Sequence, residues 1–278
     1  MTDAEFTGQH YNQSVFEFEV TRLTECSPVE FAVTRRMLDR WIPAAAAVAE
    51  IGVGVGHYSE HLAARGCRIH LIDVSRRLLD AAVARLEQAG LVGQMLGRDL
   101  LSATDLAALA DGSFDAVLLL GPLYHLRQLA ERQRAVAEAA RILKPGGLLY
   151  AAGINRLPYF RDLLREAPEK AAERRAFHER FLRDGNVDPD HAPPLGFGHL
   201  STVAEFRELF AHQFEQILFT GVESFTAAWQ ANVRGLTPDQ ADAWIDLVEQ
   251  TGVTPEGLGA SDHFLFVGRK RDHLTSPL

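Results

Sequence analysis

The chain has 278 residues, of which 47% are hydrophobic and 23% charged, a balance typical of a globular rather than a disordered protein. Its 37 acidic residues outnumber 28 basic residues, and the formal net charge of -9 disfavours general binding to phosphate backbones. The two cysteines, Cys26 and Cys67, stand far apart and form no C-x-x-C pair, which excludes a zinc ribbon and a disulfide scaffold.

The first residues, Met1 to Glu5, are acidic and are followed by no apolar run, which argues against a secretory signal. The longest apolar runs, 44–49 and 116–120, are much shorter than the ~20 residues that a membrane-spanning helix needs. We therefore expect a cytoplasmic protein with no nucleic acid and no membrane among its partners. The sequence leaves open whether the protein is a homodimer.

Residues 1–43 carry apolar side chains at mostly helical spacing, which predicts one or two helices ending at Pro43. Between residues 44 and 154, short apolar strands alternate with helices. The predicted strands are 47–51, 68–73, 93–97, 114–120 and 148–152, and the predicted helices are 58–65, 76–89 and 131–143. Such alternation predicts a doubly wound α/β fold whose mostly parallel sheet is covered on both faces.

The second half of the chain departs from this alternation twice. Residues 155–200 are charged and helical and then loop-like, which favours an insertion over a substrate site, with a solvated surface arm as the alternative. Residues 201–278 resume the core with a helix at 203–211 and strands at 214–220 and 263–268. A second helical excursion is predicted at 225–250.

A glycine-rich loop, Gly52, Gly54 and Gly56, joins the first strand to the first helix. The dinucleotide fingerprint would need its third glycine at position 57, which is His57, and no Gly-Lys-Ser/Thr of a P-loop follows. The acidic residue before the loop, Glu50, would oppose a phosphate. The loop therefore favours a cationic ligand at the carboxyl end of the first strand.

Two further carboxylates follow neighbouring strands. Asp73 ends the second strand 21 residues after Gly52, a position from which a carboxylate can accept hydrogen bonds from a ribose diol. Asp99 follows the third strand. Together with Glu50, these residues indicate a site for a ligand that carries a ribose and a positive charge.

These features resemble a class I S-adenosylmethionine-dependent methyltransferase over roughly residues 47–153, with 214–270 similar to the last two strands of that family. The segments 114–126 and 141–147 resemble a bacterial branch that modifies small molecules. The resemblance implies a seven-stranded Rossmann-like sheet with an antiparallel last strand. It also implies S-adenosyl-L-methionine as methyl donor and S-adenosyl-L-homocysteine as product, with residues 1–43 as a helical lid.

The resemblance also assigns residues to the methionine end of the cofactor. It implies that Gly52, Gly54 and Gly56 line the methionine part, and that Glu50 orients the loop and reaches the ammonium group. Gly121, after the fourth strand, would face the methionine end and the transferring methyl group.

The nucleoside is assigned to other residues in the same way. Asp73 would hold the ribose hydroxyls. Asp99 would meet the adenine amino group, with the backbone N–H of Leu100 near the ring. Tyr11, in the predicted lid, would reach the methionine end, although an ordinary packed aromatic explains it equally well.

His125 is the candidate general base, because it follows the fourth strand and an imidazole titrates near neutrality. A structural histidine remains the alternative reading. Tyr124 would shape the pocket or pack against it, and His199, where the insertion rejoins the core, is a second candidate for contact with substrate. The histidines show no metal-ligand spacing, so no metal is expected.

The function expected from these features is methyl transfer to oxygen or nitrogen of a small, partly apolar acceptor by direct in-line displacement. The alternatives are carbon methylation of a quinone-like or isoprenoid substrate, a non-catalytic cofactor-binding module, and a nicotinamide-dependent reductase, against which His57 argues. Base methylation of nucleic acid is disfavoured, since residues 121–124 read Gly-Pro-Leu-Tyr and lack the Asn/Asp-Pro-Pro-aromatic pattern.

Overall fold

A computed structural model describes residues 1–271 of the chain. The N-terminal segment forms α1 (Asp3–Gln13), α2 (Phe16–Thr21), a π-helical turn (Arg22–Cys26) and α3 (Pro28–Trp41). Helix α1 begins at a capping box in which Thr2 and Glu5 satisfy each other's backbone N–H groups. Proline in the first turn of α3 costs no hydrogen bond there. The start of the chain is helical as predicted, but it forms three α-helices and a π-helical turn rather than one or two helices.

The core follows with alternating strands and helices. Its first five strands are β1 (Ala47–Ile51), β2 (Arg68–Asp73), β3 (Met95–Leu100), β4 (Phe114–Leu119) and β5 (Leu143–Ile154). Between them lie α4 (His57–Ala64), α5 (Arg76–Gln88) and α6 (Leu129–Ile142). These five strands pair in parallel, so their carboxyl ends meet at one edge of the sheet.

The insertion and the C-terminal part complete the described structure. They contain α7 (Pro158–Glu166), α8 (Lys170–Glu173), α9 (Arg175–Asp184), β6 (Asn186–Val187), β7 (Gly198–His199), α10 (Val203–Glu208), β8 (Phe214–Gly221), a 3-10 segment (Ser224–Val233), α11 (Pro238–Gly252), α12 (Pro255–Ala260) and β9 (His263–Lys270). The predicted segment 201–278 includes residues 272–278, which lie outside the described residues. Within residues 1–271, no helix combines the length and apolarity needed to cross a bilayer.

The main sheet has seven strands in the order β3-β2-β1-β4-β5-β9-β8, and β9 runs antiparallel to both neighbours. The predicted fold class is thereby confirmed. All five residues of β1 are buried, because helices cover both faces. Val48 belongs to the core layer that includes α3, α4 and α5, whereas Ala47 and Ala49 belong to the layer that includes α6.

The structure also differs from the sequence prediction within the core and the insertion. The third strand begins at Met95 rather than at residue 93, because Val92–Gln94 forms a 3-10 turn. The fifth strand begins at Leu143 rather than at residue 148, and within it Gly146 has a φ of +68° and the register against β4 shifts. The short hairpin of β6 and β7 was not predicted, since two-residue strands leave no periodic signal.

Candidate active site

A pocket opens where β1, β2 and β4 end, and the N-terminal helices lie over it. Its walls come from α1, the glycine loop, the end of β2 and the turn after β4. Seven of the residues that the sequence singled out line this pocket: Tyr11, Gly52, Gly54, Asp73, Gly121, Tyr124 and His125. Parallel strands place these side chains together because their carboxyl ends share one edge.

The glycine loop presents bare backbone to the pocket. Gly52 and Gly54 have φ values of +76° and +56°, in the left-handed region that residues other than glycine rarely adopt. A Cβ on Gly52 would lie 2.7 Å from Pro122 Cδ, and one on Gly54 would lie 3.4 Å from a carboxylate oxygen of Glu19. A side chain at Gly52 would therefore collide with Pro122, and one at Gly54 would crowd Glu19, so the loop lines the pocket with main chain alone.

Asp73 ties the end of β2 to this loop. Its Oδ2 accepts a hydrogen bond from the Gly54 N–H at 3.0 Å, and its Oδ1 accepts one from the Ser75 N–H at 2.8 Å. Burial raises the pKa of Asp73 to about 6, while these backbone hydrogen bonds act in the opposite direction. The buried carboxylate thus favours a ligand that supplies further donors or positive charge.

Glu50 is 2% exposed and lies behind the glycine loop, in a smaller adjoining cavity. The Ser59 hydroxyl donates a short hydrogen bond to its carboxylate. Burial nevertheless raises the pKa of Glu50 to about 8, and the nearby Asp73 adds to the rise. Two carboxylates destabilised by burial therefore lie next to the same loop.

Three aromatic side chains, those of Tyr11, Tyr124 and His125, form an aromatic trio at the β4 side of the pocket. The Tyr11 hydroxyl is 3.2 Å from His125 Nε2, and the rings of Tyr124 and His125 are 4.9 Å apart. Burial lowers the pKa of His125 to about 4, so the imidazole is neutral at neutral pH. Burial also raises the pKa values of Tyr124 and Tyr11 well above the usual value for a phenol, so both side chains stay protonated.

Asp99 and Leu100 do not line this pocket. The Asp99 carboxylate lies 2.7 Å from His70 Nε2 on the neighbouring strand, and Leu100 is 43% exposed. The residues that follow them, Leu101 to Ala103, line the pocket instead. The adenine contact that the resemblance assigned to Asp99 stays a prediction, and it would require the Asp99 carboxylate to exchange or share its contact with His70.

His199 also lies away from the pocket. It is buried in β7, with Nδ1 at 3.0 Å from the Asn186 side-chain oxygen. Burial lowers its pKa to about 3, and the nearby cations Arg132 and Arg156 lower it further. A neutral histidine held within the insertion fits a structural role better than a contact with substrate.

Gly56 caps α4 and does not line the pocket. Its φ is +82°, and a Cβ there would lie 3.0 Å from Ala82 on α5. We therefore expect Gly56→Ala to lower the free energy of unfolding by about 1–3 kcal/mol through strain and crowding. Thermal unfolding would measure this loss.

Gly90→Ala is the matched control for Gly56→Ala. Gly90 also has a positive φ, +70°, but a Cβ there meets no atom within 4 Å. Its substitution reports strain alone, so the difference between the two variants isolates the contact with α5. Equal losses would contradict the packing role of Gly56.

Glu19 and Arg22 were missed by sequence reasoning, although both line cavities beside the glycine loop. They come from α2 and the π-helical turn, and Arg22 Nε lies 3.4 Å from Glu19 Oε2. No motif surrounds them. The only sequence signal is an acidic and a basic residue three positions apart, which is common on exposed helices.

Glu30, Glu223 and His263 place potential metal-ligand atoms within 4.8 Å of one another. The group is already ion-paired: His263 Nδ1 lies 2.6 Å from Glu223 Oε1, and Arg22 donates to Glu30 at 2.9 Å. Although burial lowers the pKa of His263, the two carboxylates raise it to about 9. The charges of this cluster therefore balance one another through ion pairs among its own members.

Comparisons with known proteins agree with this geometry. Residues 49–151 match a family described as a methyltransferase domain. A stretch of 116 residues is 38% identical to ubiquinone biosynthesis O-methyltransferase of Xanthomonas axonopodis pv. citri (strain 306), over 42% of this chain and 46% of that protein. A stretch of 114 residues is 34% identical to ribosomal RNA small subunit methyltransferase C of Alcanivorax borkumensis, over 40% of this chain and 33% of that protein. The chain thus spans between a third and a half of the length of these relatives.

A solved structure is similar over nearly the whole chain. It is the 1,6-didemethyltoxoflavin-N1-methyltransferase of Burkholderia thailandensis, with bound 1,6-didemethyltoxoflavin and S-adenosylhomocysteine. It is 14% identical with a TM-score of 0.57, and the match covers 97% of this chain and 87% of that chain. At this identity the likeness shows the fold. The family expected from the sequence is confirmed: the chain carries a class I S-adenosylmethionine-dependent methyltransferase domain, matched over residues 49–151.

Proposed function

We propose that the protein transfers a methyl group from S-adenosylmethionine to oxygen or nitrogen of a small, partly apolar acceptor. The observation that carries the proposal is a single pocket that joins a glycine cradle and the Asp73 carboxylate to Tyr11, Tyr124 and His125. Two similar proteins, one an O-methyltransferase and the other an N1-methyltransferase, support the reaction class.

The residues of the pocket fit the cofactor. Gly52 and Gly54 present bare main chain to its methionine part, and Asp73 has the position and charge to accept hydrogen bonds from ribose hydroxyls. Leu101 and Ala103 supply apolar walls for the adenine ring. When bound, S-adenosylmethionine supplies an electrophilic methyl group on a sulfonium.

His125 is proposed to take the proton of the acceptor. Its imidazole is neutral at neutral pH, and Nε2 faces the Tyr11 hydroxyl inside the pocket. In the tautomer with the proton on Nδ1, the Tyr11 hydroxyl donates to Nε2, so the acceptor would pass its proton to the Tyr11 oxygen while Tyr11 passes its own proton to Nε2. General base catalysis typically contributes 10²–10⁴-fold, whereas orienting the two reactants can contribute ~7–11 kcal/mol. Positioning the two reactants is therefore expected to contribute more to the rate of methyl transfer than the base does.

The insertion is proposed to cover the acceptor side of the pocket. Its loop contacts the lid helix α1, where Phe197 packs edge-on against Phe6 at 4.6 Å between ring centroids. The His10 ring lies 3.2 Å from the Pro194 carbonyl oxygen. Because α1 also lines the pocket through Tyr11, these contacts allow residues 155–200 to help exclude water.

Pocket walls beside the aromatic trio favour an acceptor with apolar surface. Pro122 and Leu126 lie in the same turn as His125 and line the pocket there. A flat molecule with one O–H or N–H group would present its polar atom to the hydrogen-bonded pair of Tyr11 and His125 and its ring to these side chains.

Incubation with S-adenosylmethionine and a panel of phenols, catechols, hydroquinones and primary amines tests the proposal. We expect S-adenosylhomocysteine to form with at least one O–H or N–H acceptor, and mass spectrometry of the product locates the new methyl group. A methyl group found on carbon would overturn the proposed atom class. Calorimetric binding without turnover on any acceptor would favour a non-catalytic module, and binding of NADH alone would overturn the proposal.

His125→Ala is expected to leave the affinity for S-adenosylmethionine within about twofold and to slow methyl transfer ~10²–10⁴-fold. Because the pKa of His125 is about 4, the wild-type rate should be constant from pH 5.5 to 7.5 as far as this group is concerned. Single-turnover kinetics and calorimetry separate the two effects. His212→Ala, at an exposed histidine, is the control. Equal rates for wild type and His125→Ala would reassign His125 to structure.

A further inference from the structure

Two cavities meet at the glycine loop. The larger one extends towards Asp73 and Leu101, and the smaller one extends towards Arg22 and Glu50. Their common wall consists of Glu19, Gly52, Gly54, Gly121 and Tyr124. Within this common wall, Glu19 is the one residue with an acidic side chain.

The proposed ligand has the same two-part form. S-adenosylmethionine consists of a nucleoside and an amino-acid chain joined at sulfur, and the sulfur carries a positive charge. A carboxylate at Asp73 suits the nucleoside, whereas the smaller cavity offers the Arg22 cation for the amino-acid carboxylate. The junction of the two cavities is then the place of the charged sulfur.

Glu19 is held at this junction by its neighbours. Arg22 Nε lies 3.4 Å from its Oε2, and its side chain is 14% exposed. Its Oε1 points towards the loop, 3.4 Å from the position that a Cβ on Gly54 would occupy. The lid helix α2 therefore brings a largely buried carboxylate to the surface against which a ligand would lie.

Negative charge exceeds positive charge around Glu19. In the ion-paired group described above, the three carboxylates Glu19, Glu30 and Glu223 face the two cations Arg22 and His263. Burial raises the pKa of Glu19, Arg22 opposes this shift and Glu30 adds to it. Because a buried charge is costly unless it is paired, a cation at the junction would be stabilised there.

We propose that Glu19 is the counter-ion of the cofactor sulfonium and makes the pocket prefer S-adenosylmethionine over S-adenosylhomocysteine. The inference rests on the proposed function of the same site. When the methyl group leaves, the sulfur keeps the electron pair of the broken bond and becomes neutral. The attraction between lid and ligand is then lost, which favours release of the product.

Calorimetric titration of wild type and Glu19→Gln with three ligands tests the inference without any turnover. The ligands are S-adenosylmethionine, the neutral S-adenosylhomocysteine, and sinefungin, in which a carbon with a protonated amine replaces the sulfonium and its methyl. We expect Glu19→Gln to weaken the two cationic ligands roughly tenfold and the neutral ligand less than about threefold. Glu19→Asp, which keeps the charge, should retain a preference for the cations.

Glu17→Gln is the matched control, because Glu17 lies on the same helix, is exposed and pairs with Arg77. It should change none of the three affinities. An equal loss for all three ligands in Glu19→Gln, or no loss, would overturn the role of Glu19 while leaving the proposed function standing. Failure of wild type to bind any of the three ligands would instead overturn the proposed function, and the inference with it.

Discussion

Asp73→Asn is expected to weaken the binding of S-adenosylmethionine at least about tenfold. A charged hydrogen bond typically contributes ~1.5–3 kcal/mol, and 1.4 kcal/mol corresponds to a tenfold change in affinity. The structure adds a second reason, since both carboxylate oxygens already accept backbone hydrogen bonds, from Gly54 and Ser75. The amide nitrogen of asparagine would face one of these donors, so the glycine loop would also lose a constraint.

Calorimetry measures this loss, and thermal unfolding shows whether the loop change spreads to the fold. Asp80→Asn is the control, because Asp80 lies on α5 near the same strand end but is 55% exposed and pairs with Arg98. It should bind S-adenosylmethionine as wild type does. An unchanged affinity in Asp73→Asn would count against the proposed ribose contact.

The strands in the middle of the sheet could be predicted because strands buried on both faces consist mostly of apolar residues. The predicted ranges of β1 and β2 coincide with the observed ones, since both are apolar runs bounded by loops. Strand β3 was harder to predict from the sequence. It lies at the edge of the sheet, its residues alternate between half-buried and exposed, and Leu96 and Leu100 face outward. An edge strand carries little of the continuous apolar signal that two-sided burial produces.

Part of the candidate site could be predicted because backbone geometry dictates it. The positive φ values of Gly52 and Gly54 need glycine, and Asp73 follows from its place at a strand end. Glu19 could not be found this way, because it reaches the pocket only through the packing of α2 over the sheet. No local pattern distinguishes it from an exposed acid such as Glu17.

Asp99 shows how the pairing of two strands can redirect a side chain. His70 on β2 lies opposite Gly97, and a Cβ on Gly97 would be 2.8 Å from the His70 ring. Glycine at this position leaves space for the imidazole, which then reaches the Asp99 carboxylate. The sequence contains both residues, but only the register of β2 against β3 brings them together.

Glu50→Gln is expected to stabilise the ligand-free protein at pH 8 and to leave it nearly unchanged at pH 4.5. The carboxyl is buried, and its pKa rises from about 4.5 in the unfolded chain to about 8 in the fold. Because the folded state favours the protonated form, the stability from this group is complete below pH 4.5 and is lost as pH rises towards 8. Glutamine keeps an acceptor for the Ser59 hydroxyl but cannot ionise.

We expect the variant to gain at least ~2 kcal/mol at pH 8, because an ionised buried group costs several kcal/mol even after relaxation. For a chain of this size that gain corresponds to a rise in Tm of about 4–8 °C. Thermal scans at several pH values measure it, with Glu87→Gln at an exposed acid as control. A Tm difference that did not grow between pH 5 and pH 8 would contradict a protonated Glu50. A gain in stability accompanied by weaker binding of S-adenosylmethionine would show that this buried acid is retained for its ligand rather than for the fold.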